Sequence, residues 1–400
     1  MKILEVSDFR ETGGSAIAAK RIASALEKIN VHCVRISSDS SIPEESLFLG
    51  KKVSLLRDLM GLAGLSCWTR KMVRKETLRQ FRILLNRHNP DHVLFHNIHG
   101  AHWSIEIILE ALEYTHTSWT LHDCWSFLGT YYPSHSPNPD RQILPEIDYF
   151  WRKLKKFSHS LSGITPSAWM NDQASQSRWQ ENMVKTIHNP VPDSFFIESN
   201  KDASKHVLGL SLDKPIVLCV AGNLDEARKG GHILREILSS SIIDQAQFLL
   251  VGNGESYAEL GSSKVKNLGF VHDEITLKLA YHAADLFLHP APIDNLPNTV
   301  AESMSCGTPV IAFETGGLPE MIIDGKNGWL VKELSAASMI KHLNELLKSK
   351  DLNLKSYGSE SKNMAKILFS ESHTAKSYDS HFNRMKEQFK ALKKREGKAE

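Results

Sequence analysis

Two carboxylates stand eight positions apart in the stretch "DNLPNTVAESMSCGTPV", residues 294–310: Asp294 and Glu302. Between them Asn295, Pro297 and Asn298 read as the entrance to a helix that runs from about Asn298 to Cys306 and is stopped by Gly307 and Pro309. The apolar "LFLHP" just ahead reads as a strand end, so the acids flank a strand–loop–helix junction. Backbone N–H groups at a helix start lack an intrahelical partner and attract an anion, most obviously a phosphate. Here those groups belong to Asn298 and Thr299. A carboxylate beside such a site repels phosphate, so its use is to accept hydrogen bonds from flanking hydroxyls, ribose on one side and a hexose on the other. That is the shape of a nucleotide-sugar. On spacing alone the plainer reading prevails: Asp294 as a turn residue and Glu302 as a solvated helix glutamate.

The elements that must position these acids follow from hydrophobic patterning. Short runs rich in Val, Ile and Leu alternate with longer amphipathic stretches: "KILEVS", "VHCVRIS", "DHVLFHN", "SWTLHD", "LSGITPS" and "VKTIHNP" in the first half. After the loop marked by Pro190 and Pro192 the pattern restarts with "PIVLCVAG", "QFLLVGNG", "DLFLHP" and "PVIAFETGG". Strands separated by helices indicate βαβ units and buried parallel sheets. The expected organisation is α/β: two doubly wound domains, 1–195 and 196–365, then a helical tail, 366–400, packing back on the first. Two such domains facing across a cleft would place ligands at their strand C-terminal ends.

Gly13 and Gly14 lie between the first strand and its helix, where glycine admits close backbone approach to a ligand and equally serves a plain tight turn. No G-x-G-x-x-G is present, so a dinucleotide fingerprint is absent. His122 ends the strand "SWTL", a place where most histidines are simply hydrogen-bonded structure. His96, His99 and His102 suggest a metal, but Gly100 between them argues against a single helical face, and no metal is assigned.

The stretch "DNLPNTVAESMSCGTPVIAFETGGLPEMIIDGKNGWLV" resembles the signature of the retaining glycosyltransferases of family 4, whose acidic pair is spaced E-x7-E where this chain has D-x7-E. "GGSAIAAKRIASAL" resembles that family's glycine-rich first loop, "TLHDCW" its acceptor-domain histidine motif, "ITPSAW" a strand–serine–helix junction and "AGNLDEARKGG" its diphosphate loop. "LLVGNGE" and "VKNLGFV" fall in the expected order, so the likeness covers nearly the whole chain. The resemblance implies a GT-B fold of two Rossmann-like domains: an acceptor-binding first domain, and a second domain that holds most of the nucleotide-sugar donor. It implies that Lys229 holds the donor diphosphate, a charge-assisted contact worth ~1.5–3 kcal/mol. It also implies that His122 touches the transferred sugar, Asp294 orients the hexose and Glu302 grips ribose. The family's arginine six positions before that lysine is replaced by Asn223, which brings no charge, with Arg228 as a candidate substitute.

The bulk numbers agree with a soluble or peripheral protein. At 400 residues, 41% hydrophobic and 24% charged, the chain can build two cores, and a net charge of +2 gives no field that argues for nucleic acid. Five scattered cysteines lack a C-x-x-C spacing and fit a reducing cytosol. The start "MKILEVS" reads as a strand rather than a signal peptide, and no apolar run approaches the ~18 residues of a membrane span. Residues 51–88, including Leu65 and Trp68, are strongly basic and suit a helix on an anionic membrane or, equally, a solvated helix face. The expectation is a cytoplasmic, metal-independent retaining glycosyltransferase without a cofactor, working on a glycan or lipid-linked acceptor in bacterial surface polysaccharide synthesis. A GT-B epimerase and a silent nucleotide- or glycan-binding scaffold are the alternatives.

Overall fold

The Val-, Ile- and Leu-rich runs become parallel strands in the computed structural model, which describes residues 1–42, 45–47, 66–101, 103–130, 144–157, 161–257, 264–349 and 353–396. The chain divides into two units, Met1–Asn189 with Ser372–Glu400, and Pro190–Glu371.

The first unit is built on β1 (Lys2–Val6), β2 (His32–Ile36), β3 (His92–Phe95), β4 (Thr117–Thr120), β5 (Leu161–Thr165) and β6 (Met183–Thr186), in the order β2-β1-β3-β4-β5-β6. All pairings are parallel. Every residue of β3, β4 and β5 is buried, as a sheet covered on both faces requires. Three of the buried β4 residues are polar, Thr117, Ser118 and Thr120, and the helix Glu371–Glu396 answers two of them. Its His381 Nε2 lies 3.1 Å from Ser118 Oγ and 2.9 Å from Ser162 Oγ, and Tyr378 reaches Thr120. Tyr378 and Phe382 complete an apolar cluster with Ile3, Ile22, Leu94 and Ile164.

The second unit holds β7 (Ile216–Asn223), β8 (Gln247–Asn253), β9 (Val265–Asn267), β10 (Leu286–His289), β11 (Val310–Phe313) and β12 (Gly328–Val331), ordered β9-β8-β7-β10-β11-β12 and parallel throughout. Numbered within the unit this is 3-2-1-4-5-6, the dinucleotide-fold order, whose topological switch point lies between β7 and β10. The first unit's order, 2-1-3-4-5-6, places its own switch between β1 and β3.

The crossings between units differ in detail from the expected positions 195 and 366. Val191 and Phe195 are buried in the second unit's core, which draws the first crossing back to Asn189/Pro190. The tail is two helices rather than one: Leu354–Phe369 stays in the second unit, the backbone turns extended at Ser370, and Glu371–Glu396 begins anew. Val191 N–H donates to Phe369 C=O at 2.8 Å and Asp193 N–H to Glu371 Oε2 at 2.8 Å, so the two crossing segments are stapled side by side.

Candidate functional site at the second sheet's switch point

The loop after β7 and the loop after β10 meet at the switch point. Lys229 closes a short 3₁₀ turn, Ala227–Lys229, and Gly230 follows with φ 80°. A Cβ on Gly230 would stand 2.1 Å from Pro290 O, so only glycine lets the two loops touch. On the other side Gly316, at φ 58°, packs so closely that a Cβ would meet Asp294 O at 1.9 Å, while Gly317 N–H donates to that same oxygen at 3.1 Å. Both glycines fix where Lys229 and Asp294 stand.

The outcome is an ion pair: Lys229 Nζ donates to Asp294 Oδ2 at 2.6 Å. Asp294 is 5% exposed and its Oδ1 accepts from Asn295 N–H at 2.9 Å. Burial alone would raise its pKa, but Lys229 and then His289 overrule it and hold the carboxyl at about 2. His289 ends β10 with Nε2 at 3.8 Å from Asp294 Oδ2, and burial pushes its pKa down to about 4. Asp294 is therefore a buried anion rather than a plain turn residue.

Glu302 is likewise not a solvated helix residue. It lies on the helix Asn298–Ser305, 4% exposed, and its Oε2 accepts from Tyr281 Oη at 2.7 Å. The helix begins after Pro297 at Asn298 and Thr299, both half-buried, with Cys306 as its C-cap. Neither Tyr281 nor His289 is singled out by the sequence; the signal for each is a polar aromatic ring at the edge of an apolar run. Asn223 ends β7, exposed, and its Oδ1 accepts from Asp225 N–H at 2.9 Å, shaping its own loop. Arg228 Nε donates to Glu226 Oε1 at 2.8 Å, two residues away, and adds a small share of the positive field at Asp294.

In the first unit Gly13 takes φ 93° at the N-cap of the helix that starts at Gly14, a conformation that accounts for the glycine without any crowding neighbour. His122 follows β4, half-buried, with Nε2 at 2.9 Å from His96 Nδ1. Burial, then His96, pull its pKa well below the ordinary histidine value. His99 instead stacks on Trp125 and lies 3.8 Å from Asp123. His96 and His99 thus have separate partners. His102 and residues 51–65 of the basic stretch lie outside the described residues. On the helix Ser66–His88, Arg74 pairs with Glu106, Arg79 with Glu76 and Arg82 with Glu110, so these three arginines face acids of the same unit. Among the described residues no helix is long and apolar enough to cross a membrane.

Comparison with solved structures defines the class of fold. Sucrose-phosphate synthase from Thermosynechococcus elongatus superposes with a TM-score of 0.73 at 17% identity, covering 96% of this chain and 98% of that one. Anabaena HepE in complex with UDP gives 0.65 at 18% identity, over 96% and 100%. The fold is GT-B, two Rossmann-like parallel-sheet units. Residues 214–349 match the family model described as glycosyl transferases group 1. D-inositol 3-phosphate glycosyltransferase of Mycolicibacterium smegmatis is 29% identical over 161 residues, 37% of this chain; the match spans only 36% of that relative's length.

Proposed function

We propose that the chain is a retaining glycosyltransferase that takes a sugar from a nucleoside diphosphate donor and transfers it to a hydroxyl of a glycan or lipid-linked acceptor in bacterial surface polysaccharide synthesis. The observation that carries this reading is the ion pair of half-buried Lys229 with buried Asp294 at the switch point of a 3-2-1-4-5-6 sheet, inside the segment that matches the family model. An ammonium has three N–H donors, so Lys229 can keep Asp294 and still offer two to a diphosphate. The first amides of the helix Asn298–Ser305 add a second source of positive field for phosphate. Asp294 accepts from a hexose hydroxyl and Glu302 from ribose; Asn223 and Arg228 border the diphosphate. In the first unit Gly13 and Gly14 are assigned to donor binding, and His122 is the group offered to the sugar.

In the transfer, the bond between the anomeric carbon and the departing phosphate oxygen breaks while the acceptor oxygen bonds to that carbon on the same face. The acceptor proton passes to the departing phosphate. The protein's share is positioning and charge stabilisation. Lys229 and the helix amides carry the charge a divalent ion would otherwise carry, so the reading needs no metal. Free buried thiols at Cys33, Cys124, Cys219 and Cys306 fit a cytoplasmic setting, and the basic helix a peripheral one on the inner membrane face. Following donor consumption with and without acceptor tests the reaction. Consumption only with acceptor supports transfer; consumption without it indicates an epimerase; tight donor binding without turnover across a broad acceptor panel indicates a binding scaffold.

A further inference from the structure

A tyrosine inside a core must find a partner for its hydroxyl, because the ring gains from burial and the O–H does not. Tyr281 is such a residue. It lies on the helix Glu274–Ala283, is 0% exposed, and packs its ring against Phe195 and Phe287 at 6.4 and 5.8 Å between centroids. Its Oη donates to Glu302 Oε2 at 2.7 Å. The backbone of the same residue is tied to the same neighbouring helix. Tyr281 C=O accepts from Thr308 Oγ1 at 2.7 Å. Thr308 is bound in turn to Ser303, next to Glu302: its N–H donates to Ser303 C=O at 3.0 Å, and Ser303 Oγ donates to Thr308 C=O at 3.0 Å. Tyr281 and the helix that carries Glu302 are therefore clamped at two points, one backbone and one side chain.

A glutamate side chain is long and rich in rotamers, and fixing it in one orientation has an entropic cost. A phenol has less freedom, and here packed rings hold it, so its O–H is a fixed point to which the carboxylate is drawn. Glu302 has other contacts as well. What the phenol adds to them is a rigid donor, and a carboxylate accepts several hydrogen bonds at once, so the one from Tyr281 does not preclude one from a ligand hydroxyl. We propose that Tyr281 is a positioning residue that presents the Glu302 carboxylate to the ribose hydroxyls, so that the site selects a ribonucleoside diphosphate donor over a 2′-deoxy one such as TDP. A site built to hydrogen-bond a substrate hydroxyl rejects the analogue that lacks it, because the buried acceptor then loses that partner. The clamp is a feature of the second unit's geometry; its use in selecting ribose rests on the proposed function, in which Glu302 meets the ribose.

Calorimetric titration of the full chain with UDP, GDP and ADP identifies the nucleotide that binds, and its 2′-deoxy and 3′-deoxy analogues then serve as probes. The wild type should hold the ribonucleotide about tenfold or more tighter than at least one deoxy analogue. Tyr281→Phe keeps the ring and removes only the donor. It should weaken the ribonucleotide by about 3- to 10-fold and that deoxy analogue by less than about twofold, so that the variant and the missing hydroxyl are coupled. Should Tyr281→Phe not fold, Tyr281→Met, an adaptable core filler without a hydroxyl, takes its place. Equal losses for both nucleotides, or none for either, would overturn the positioning role and leave donor binding standing. A wild type that binds ribo- and deoxynucleotide alike would overturn the ribose role of Glu302 and that of Tyr281 with it, without touching Lys229. Failure of all these nucleotides to bind would refute the proposed function as well.

Discussion

At the scale of single residues, the weight of the proposed donor site falls on one pair. Asp294 was expected to meet the hexose and Glu302 the ribose as two separable tasks, yet Lys229 Nζ sits 2.6 Å from Asp294. The anion that would orient the sugar also anchors the cation that would hold the diphosphate. Asp294→Asn should therefore lower kcat by ~100-fold through lost positioning and weaken the free nucleotide by roughly 3- to 10-fold, a loss of about 1 kcal/mol in the hold on Lys229. Glu302→Gln should weaken free nucleotide by about tenfold while kcat at saturating donor stays nearly unchanged, because the ribose is bound alike before and during reaction. Calorimetry with the free nucleotide and initial rates for both variants check the division; equal affinity losses with no change in kcat would refute it. The D-x7-E spacing exposed both acids in the sequence, but the partners could not be read there. Lys229 lies 65 residues from Asp294, and its meeting with Asp294 depends on two loops touching at Gly230. His96 drew notice only as a metal candidate, although an acid in the apolar strand "KILEV" opposite an arginine in "HCVRI" is a visible sign of buried charge.

At the scale of elements, the close approach of the loops after β7 and β10 is the device that builds the site. Gly230→Ala would put a methyl group 2.1 Å from Pro290 O in a backbone conformation side chains avoid. We expect it to cost roughly 2–4 kcal/mol of stability, measured by urea unfolding, and to separate Lys229 from Asp294; a variant as stable and as tight for nucleotide as the wild type would contradict this. The helix Glu371–Glu396 makes a second prediction. Where it docks, His92, His116 and His381 are buried together, with Lys185, Arg384, Lys386 and Asp91 as the charges acting on them. Burial is the main cause that pulls His92 well below its ordinary 6.5, His116 to about 4 and His381 to about 3. The folded unit keeps these rings neutral while the unfolded chain takes up protons. Their contribution is full above pH 6.5 and is lost as pH falls toward 4, by up to ~1.4 kcal/mol per histidine per pH unit. Scanning calorimetry at pH 7, 6 and 5 should show the first unit melting progressively earlier; an unchanged melting temperature would be contrary to it. Ten of the twelve strands were legible as apolar runs between helical stretches. β9 and β12 were not: "VKN" is three residues long and carries two polar residues, and "GWLV" opens on a glycine. The tail read as one helix because nothing at Ser370 is a helix breaker; the break comes from pairing with Val191.

At the scale of the whole molecule, the family match and the proposed donor site coincide in the second unit, residues 190–371, while the first unit carries the buried Glu5–Arg35 pair and the His96–His122 contact. That split explains what composition conveyed: a near-neutral chain with two cores and its chemistry in local charge. Since Lys229 and the helix amides are assigned the diphosphate charge, sugar transfer should survive EDTA; complete loss on chelation, restored by Mg²⁺ or Mn²⁺, would refute the metal-free reading. The most direct test of the central claim, that a nucleoside diphosphate is held at the β7/β10 switch point by Lys229, is a calorimetric titration of UDP, GDP, ADP and TDP into the wild type and Lys229→Ala. One nucleotide should bind the wild type, and the variant should bind it ~10- to 100-fold more weakly, the equivalent of a charge-assisted contact of a few kcal/mol. Binding of none of the four to the wild type, or equal affinity in the variant, would contradict it.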